Sequence, residues 1–169
     1  MESTIKLHAF KHIDTKAYLF ASLFVLGNLV LPQLCHLLPY GGQVLLPIYF
    51  FTLIAGYKYG FFTGLLTAVA SPLINNALFG MPGTEMLPII LIKSGLLAFA
   101  ASYVAQRFNK ITIIHLLLVI FFYQSVGMLA EWVLTDSFYA AMQDIRIGFP
   151  GMILQLFGGY ICLMAMRKW

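Results

Sequence analysis

The chain has 169 residues, of which 61% are hydrophobic and only 9% charged, and its mean hydropathy is +0.89. Soluble domains are about 45–50% apolar and about 25% charged, so this composition excludes a soluble enzyme, a disordered chain and a DNA-binding domain. It points to an all-α integral membrane protein. The formal charge of +4 does not indicate nucleic acid, because the basic residues are scattered at helix ends and form no stripe.

Residues 1–16 are polar and form a cytoplasmic N-terminal segment, with Ile5, Phe10 and Ile13 allowing a short interfacial helix. The rest of the chain, 17–169, divides into six apolar spans. A bilayer crossing needs about 20 residues, so six fit only with short loops. The first span covers residues 17–38 and ends at Pro39-Tyr40-Gly41-Gly42. The second, 44–57, is short and meets a tight turn at Gly56-Tyr57-Lys58-Tyr59-Gly60. The third, 61–79, contains Pro72 and leads into the loop Gly80-Met81-Pro82-Gly83-Thr84-Glu85. The fourth covers 86–106 and the fifth 111–134. Residues 135–147 form the most polar connection, and the sixth span covers 148–166.

Charge orients this arrangement. With the N-terminus inside, Lys6, Lys11, Lys16, Lys58, Arg107, Lys110, Arg167 and Lys168 all fall inside, while only Arg146 falls outside. That bias satisfies the positive-inside rule. It predicts six transmembrane helices with both termini cytoplasmic, a multi-pass protein of a bacterial inner or plasma membrane. Trp132 and Trp169 read as interfacial anchors, and Cys35 and Cys162 as small hydrophobes without disulfide or metal spacing. His36 and His115 have no second ligand at helical spacing, so no metal is expected.

The polar residues within the spans are the candidates for function. A charge at the centre of a bilayer costs about 2.5–3.5 kcal/mol or more, and Lys93 lies about 10 Å below the outer end of the fourth span. Three readings are open for it: snorkelling to the surface, a structural pair with Glu131, or an ammonium facing a pocket. Gln124, Met128 and Glu131 share one face of the fifth span, with Tyr123 at its border. Asn75-Asn76 ends the third span, either turned towards a neighbour or ligand or capping the helix before Gly80. Gln155 lies on a face of the sixth span with Gly151, Gly158 and Cys162. All of these belong to the outer half, whereas a channel needs polar groups along its whole length. The pattern suggests a cup that is open outside and closed beneath. Asn75, Asn76, Lys93, Tyr123, Gln124, Glu131 and Gln155 are its candidate substrate-binding residues.

Three segments carry a family resemblance. Ala17-Tyr18-Leu19-Phe20-Ala21 looks like an Ala-x-x-x-Ala coupling motif. Leu45-Leu46-Pro47-Ile48 through Tyr57-Lys58-Tyr59-Gly60-Phe61-Phe62-Thr63-Gly64 looks like a helix, a basic glycine turn and a second helix. Leu78-Phe79-Gly80-Met81-Pro82 followed by Leu87-Pro88 resembles the loop before the fourth span. In this order they resemble the substrate-binding S components of energy-coupling-factor (ECF) vitamin transporters. The resemblance implies a subunit that captures a small water-soluble vitamin or precursor from outside. It also implies docking, through Ala17 and Ala21, on a transmembrane coupling protein that carries two ABC-type ATPases. The lysine at position 93, near which related sequences often carry an acidic residue, favours an anionic substrate. A stand-alone solute transporter and a structural cell-envelope protein are the alternatives. An enzyme is not expected, because the Gly-x-Ser-x-Gly and His-Glu-x-x-His motifs are absent and Ser71 and Ser94 have no adjacent base.

Overall fold

The computed structural model describes residues 14–167 together with the backbone of Ser3–Thr4. Most of the expected N-terminal segment, as well as Lys168 and Trp169, lies outside the described residues. Among the described residues the fold is all-α apart from one short antiparallel pairing, in which β1 (Ser3–Thr4) lies against β2 (Lys110–Ile111) with Ser3 opposite Ile111.

Four helical stretches among the described residues are long and apolar enough to cross a bilayer: Thr15–Cys35, Pro47–Phe79, Leu87–Phe108 and Ile113–Thr135. A shorter apolar run, Phe149–Ala165, follows them. Their outward surfaces are greasy: Leu19 on the first helix and Phe121 on the fourth are 69% and 71% exposed. Polar side chains such as Asn28, Thr52, Thr67, Ser71 and Gln155 are fully buried. Apolar groups outside and hydrogen-bonded polar groups inside suit a lipid solvent.

Helix α1 (Thr15–Cys35) stops three residues before the expected end, and Pro32 lies in its last turn. The segment expected to open the second span is broken. Helix α2 (Gly41–Leu45) ends at Leu46, whose φ of 46° is left-handed, and a single 3-10 turn, Pro47–Tyr49, follows. Gly151 makes this bend possible. A Cβ on Gly151 would lie 2.5 Å from the Leu45 carbonyl, so the two backbones touch only because that position carries no side chain.

Helix α3 (Phe50–Phe79) consists of two arms joined at Gly60, whose φ of 88° and ψ of 177° belong to a region that only glycine enters readily. A Cβ on Gly64 would lie 2.7 Å from the Gly56 Cα. In a continuous helix those residues are about 12 Å apart, so the chain reverses at Gly60 and its arms, 50–59 and 61–79, pack side by side. The expected glycine turn is therefore present, confined to one residue, with helix up to Tyr59. A Cβ on Gly56 would lie 3.0 Å from the Ala98 carbonyl oxygen and one on Gly64 3.2 Å from the Ala98 Cβ, so a third helix joins the same close approach.

That third helix is α4 (Leu87–Phe108), which begins with Pro88 in its first turn and ends at left-handed Asn109. Helix α5 (Ile113–Thr135) is capped by Thr112, whose side chain accepts from the His115 backbone N–H. The polar connection that follows is not a loop but two short helices, α6 (Phe138–Ala141) and α7 (Gln143–Arg146). The last run comprises α8 (Phe149–Ile153), a π-helical turn (Leu154–Gly158) and α9 (Gly159–Ala165).

Candidate functional site

Chain direction assigns the two ends of the bundle. The C-terminal ends of α1, of the 61–79 arm and of α5 meet the N-terminal ends of α4 and α8 at one end. The Gly60 turn and the α4–α5 turn meet at the other, where the Tyr57 hydroxyl donates to the Lys110 carbonyl at 2.6 Å. A cavity of about 260 Å³ opens at the first end, lined by α1, the segment 42–49, the 61–79 arm, the 80–86 loop, α4, α5 and α7. A separate, apolar groove lined by Phe20, Leu23, Phe24, Phe51, Tyr59 and Met166 runs beside α1 towards the other end.

Its floor is ionic. The Lys93 ammonium lies 2.5 Å from Glu131 Oε2 and 2.8 Å from Asp144 Oδ2. Lys93 and Glu131 are 2% and 3% exposed, and Asp144, nearer the mouth, is 15% exposed. Local sequence builds this triad. On α5 the residues facing inward are Ile120, Tyr123, Gln124, Gly127 and Glu131, a helical stripe in which Gly127 sits one turn before Glu131. A Cβ on Gly127 would come within 2.6 Å of the Lys93 Cγ, so the glycine makes room for the lysine stem.

One wall is an amide network. Asn28 reaches from α1 to both arms of α3. Its Nδ2 donates to Thr52 Oγ1 and to Ser71 Oγ, each at 3.1 Å, and its Oδ1 accepts from the Phe51 backbone N–H at 3.3 Å. Phe51 lies in the first turn of its helix, where that N–H has no intrahelical acceptor. Asn75 Nδ2 donates to the carbonyls of Asn28 and Ser71 at 2.9 and 3.0 Å. Both amide hydrogens of Asn75 are thereby committed, and its Oδ1, buried at the cavity wall, has no partner. Gln33, another lining residue, has a partnerless Nε2.

Of the expected site residues, Asn75, Lys93 and Glu131 line the cavity. Asn76 does not; its Nδ2 donates to the Pro82 carbonyl at 2.7 Å and holds the 80–86 loop that forms one side of the mouth. Tyr123, Gln124 and Gln155 form a layer behind the cavity. The Tyr123 hydroxyl donates to Gln155 Oε1 at 2.8 Å and accepts from Gln124 Nε2 at 3.1 Å. The Tyr123 ring packs 5.6 Å from that of Tyr49, which does line the cavity. The π turn carries Gln155, and such bulges re-aim side chains. Ala17 and Ala21 are covered by the chain itself, so a partner approaching this part of α1 meets Tyr18, Leu19 and Leu23 first.

Asp144, Gln33, Tyr49 and Gln143 were not among the expected residues. Asp144 sat in a connection read as external, although the chain has only six acidic residues and each one beside an apolar span was a signal. Among the described residues no group of three or more His, Cys, Asp or Glu side chains is arranged to hold a metal ion. His36 lines the cavity, whereas His115 stacks on Phe108 with centroids 4.4 Å apart.

These features define a membrane-embedded helical protein with a solute-sized cavity at one end. Compared with models of protein families, with curated proteins and with solved structures, the chain matches none of them.

Proposed function

We propose that the chain is the substrate-binding membrane subunit of an ECF-type importer for a small water-soluble vitamin or precursor. In this reading the two arms of α3 and the run Phe149–Ala165 are crossings in their own right, which makes six spans. Both termini are cytoplasmic, and the membrane is the bacterial inner or plasma membrane. The observation that carries the reading is the polar cavity at one end: polar groups converge there, while the basic residues Lys16, Lys58, Arg107, Lys110 and Arg167 mark the other. By the positive-inside rule the cavity then opens outward. Such a cup binds a solute and needs a partner to release it inward, which is the work of a coupling protein and two ABC-type ATPases. The exposed stripe Leu19, Leu23, Leu26 and Val30 on α1 is the surface this reading offers that partner.

Native mass spectrometry of gently purified protein tests the binding role, with a co-purified vitamin-sized mass as the expected result. Solute flux in liposomes containing this chain alone would overturn the partner-dependent reading in favour of a stand-alone transporter. Cysteine labelling at the exposed positions 107 and 83 tests the topology: only Gly83→Cys should react with an impermeant reagent on intact cells, and Arg107→Cys only once the membrane is permeabilised.

A further inference from the structure

We propose that the cavity selects a small organic cation bearing N–H donors, rather than an anion; this rests on reading the cavity as a solute site. Among the described residues, the Lys, Arg, Asp and Glu side chains that line it are Lys93, Glu131 and Asp144, one formal positive charge and two formal negative ones. The lysine is already engaged with both carboxylates, at 2.5 and 2.8 Å. The triad therefore carries one carboxylate in excess of its cation, on the Asp144 side, where partial burial makes an unmatched charge costly. The nearest basic residue in sequence does not compensate it. Arg146 donates to the Tyr139 hydroxyl at 2.7 Å, lies over that ring, and is not part of the lining.

A second, independent feature points to the same chemistry. Asn75 is 2% exposed, its amide hydrogens are fixed on two carbonyls, and its oxygen has no donor. A buried acceptor without a partner calls for a donor. An ammonium, amidinium or protonated ring nitrogen satisfies both the Asp144 side of the triad and Asn75 Oδ1. The partnerless Gln33 Nε2 leaves a place for one acceptor elsewhere on the solute. A carboxylate entering instead would meet two carboxylates already gathered around Lys93.

Calorimetric titration of the full chain in detergent tests this with matched solutes of one ring and three charges: 3-(aminomethyl)pyridine, nicotinamide and nicotinate, and the corresponding pyrimidines. The aminomethyl member is expected to bind at least ten-fold tighter than the carboxylate in each series. Asp144→Asn, at the wetter end of the triad, is expected to shrink that gap by about ten-fold, or about 1.4 kcal/mol. Carboxylates that bind as tightly as the amines, or a gap that Asp144→Asn leaves unchanged, overturn the proposal while the solute-binding reading stands. If no member binds, native mass spectrometry decides. A co-purified basic solute supports the proposal, a neutral or acidic one overturns it, and a solute-free protein defeats the solute-binding reading and the proposal with it.

Discussion

The two ends of the bundle are built from the same apolar helices, yet one holds a polar cavity, whereas the turns at the other close on themselves and leave only an apolar groove beside α1. At the closed end the chain reverses within one glycine, Gly60, and rings interlock, with Phe20 stacked on Tyr59 at 4.2 Å. Further along the same arms Gly56, Gly64 and Ala98 bring three backbones into contact. At the open end the connections are longer, as in residues 36–46, 80–86 and 136–148. Helix ends are held apart there by side chains with polar heads: Asn28, Asn75, Asn76, Lys93 and Glu131. Small residues let helices close on each other, whereas a bonded polar network spaces them and leaves room that close packing does not fill.

Substitutions can break this contrast from either side. The largest loss is expected from Lys93→Met, which leaves Glu131 and Asp144 facing each other without a cation; removing one partner of a buried ion pair costs about 3–5 kcal/mol. Thermal unfolding in detergent measures it, and adding Glu131→Gln should recover part of the loss. An unchanged melting temperature for the single variant would mean that the triad does not persist in solution. At the closed end, Gly64→Ala should cost about 1–3 kcal/mol, because its Cβ meets a backbone Cα at 2.7 Å. Gly83→Ala, with nothing within 4 Å, serves as the silent control. Equal melting temperatures for the two would refute the close approach of the arms.

Asn28→Ala should follow at about 1–3 kcal/mol, since it orphans a buried acceptor and donor where α1 meets both arms of α3. Hydrogen exchange should show the loss first at the Phe51 amide, and an unaltered exchange rate there would exclude the clamp. The smallest effect is expected from Tyr123→Phe, about 1 kcal/mol. It removes the hydroxyl that joins Gln124 to Gln155 and leaves the ring against Tyr49 in place. Solute affinity should fall less in this variant than in Asp144→Asn, because Tyr123 stands behind the cavity wall.

Composition and periodicity made the long apolar helices readable, because lipid demands such helices and the backbone must bond to itself. The glycine turn was readable at Gly60, since positive φ selects that residue, and so was the pairing of Lys93 with Glu131 as one of its open readings. The left-handed bend at Leu46 was not, because the following Pro47 signals a helix boundary there but not its geometry. It depends on Gly148 and Gly151, a hundred residues away, letting the last helical run press against the bend.

By itself, the sequence determined that this is an apolar, all-helical chain with its basic residues at one end and its intramembrane polar groups towards the other. The tertiary structure alone decided what those groups do. It brought Asp144 from a connection to Lys93, turned Asn75 to the wall and Asn76 to the loop, and drew Tyr123, Gln124 and Gln155 back into a second layer. Depth in a membrane follows from chain position and can be read locally. Which polar side chain faces a cavity depends on contacts between helices far apart in sequence, and no local pattern encodes them.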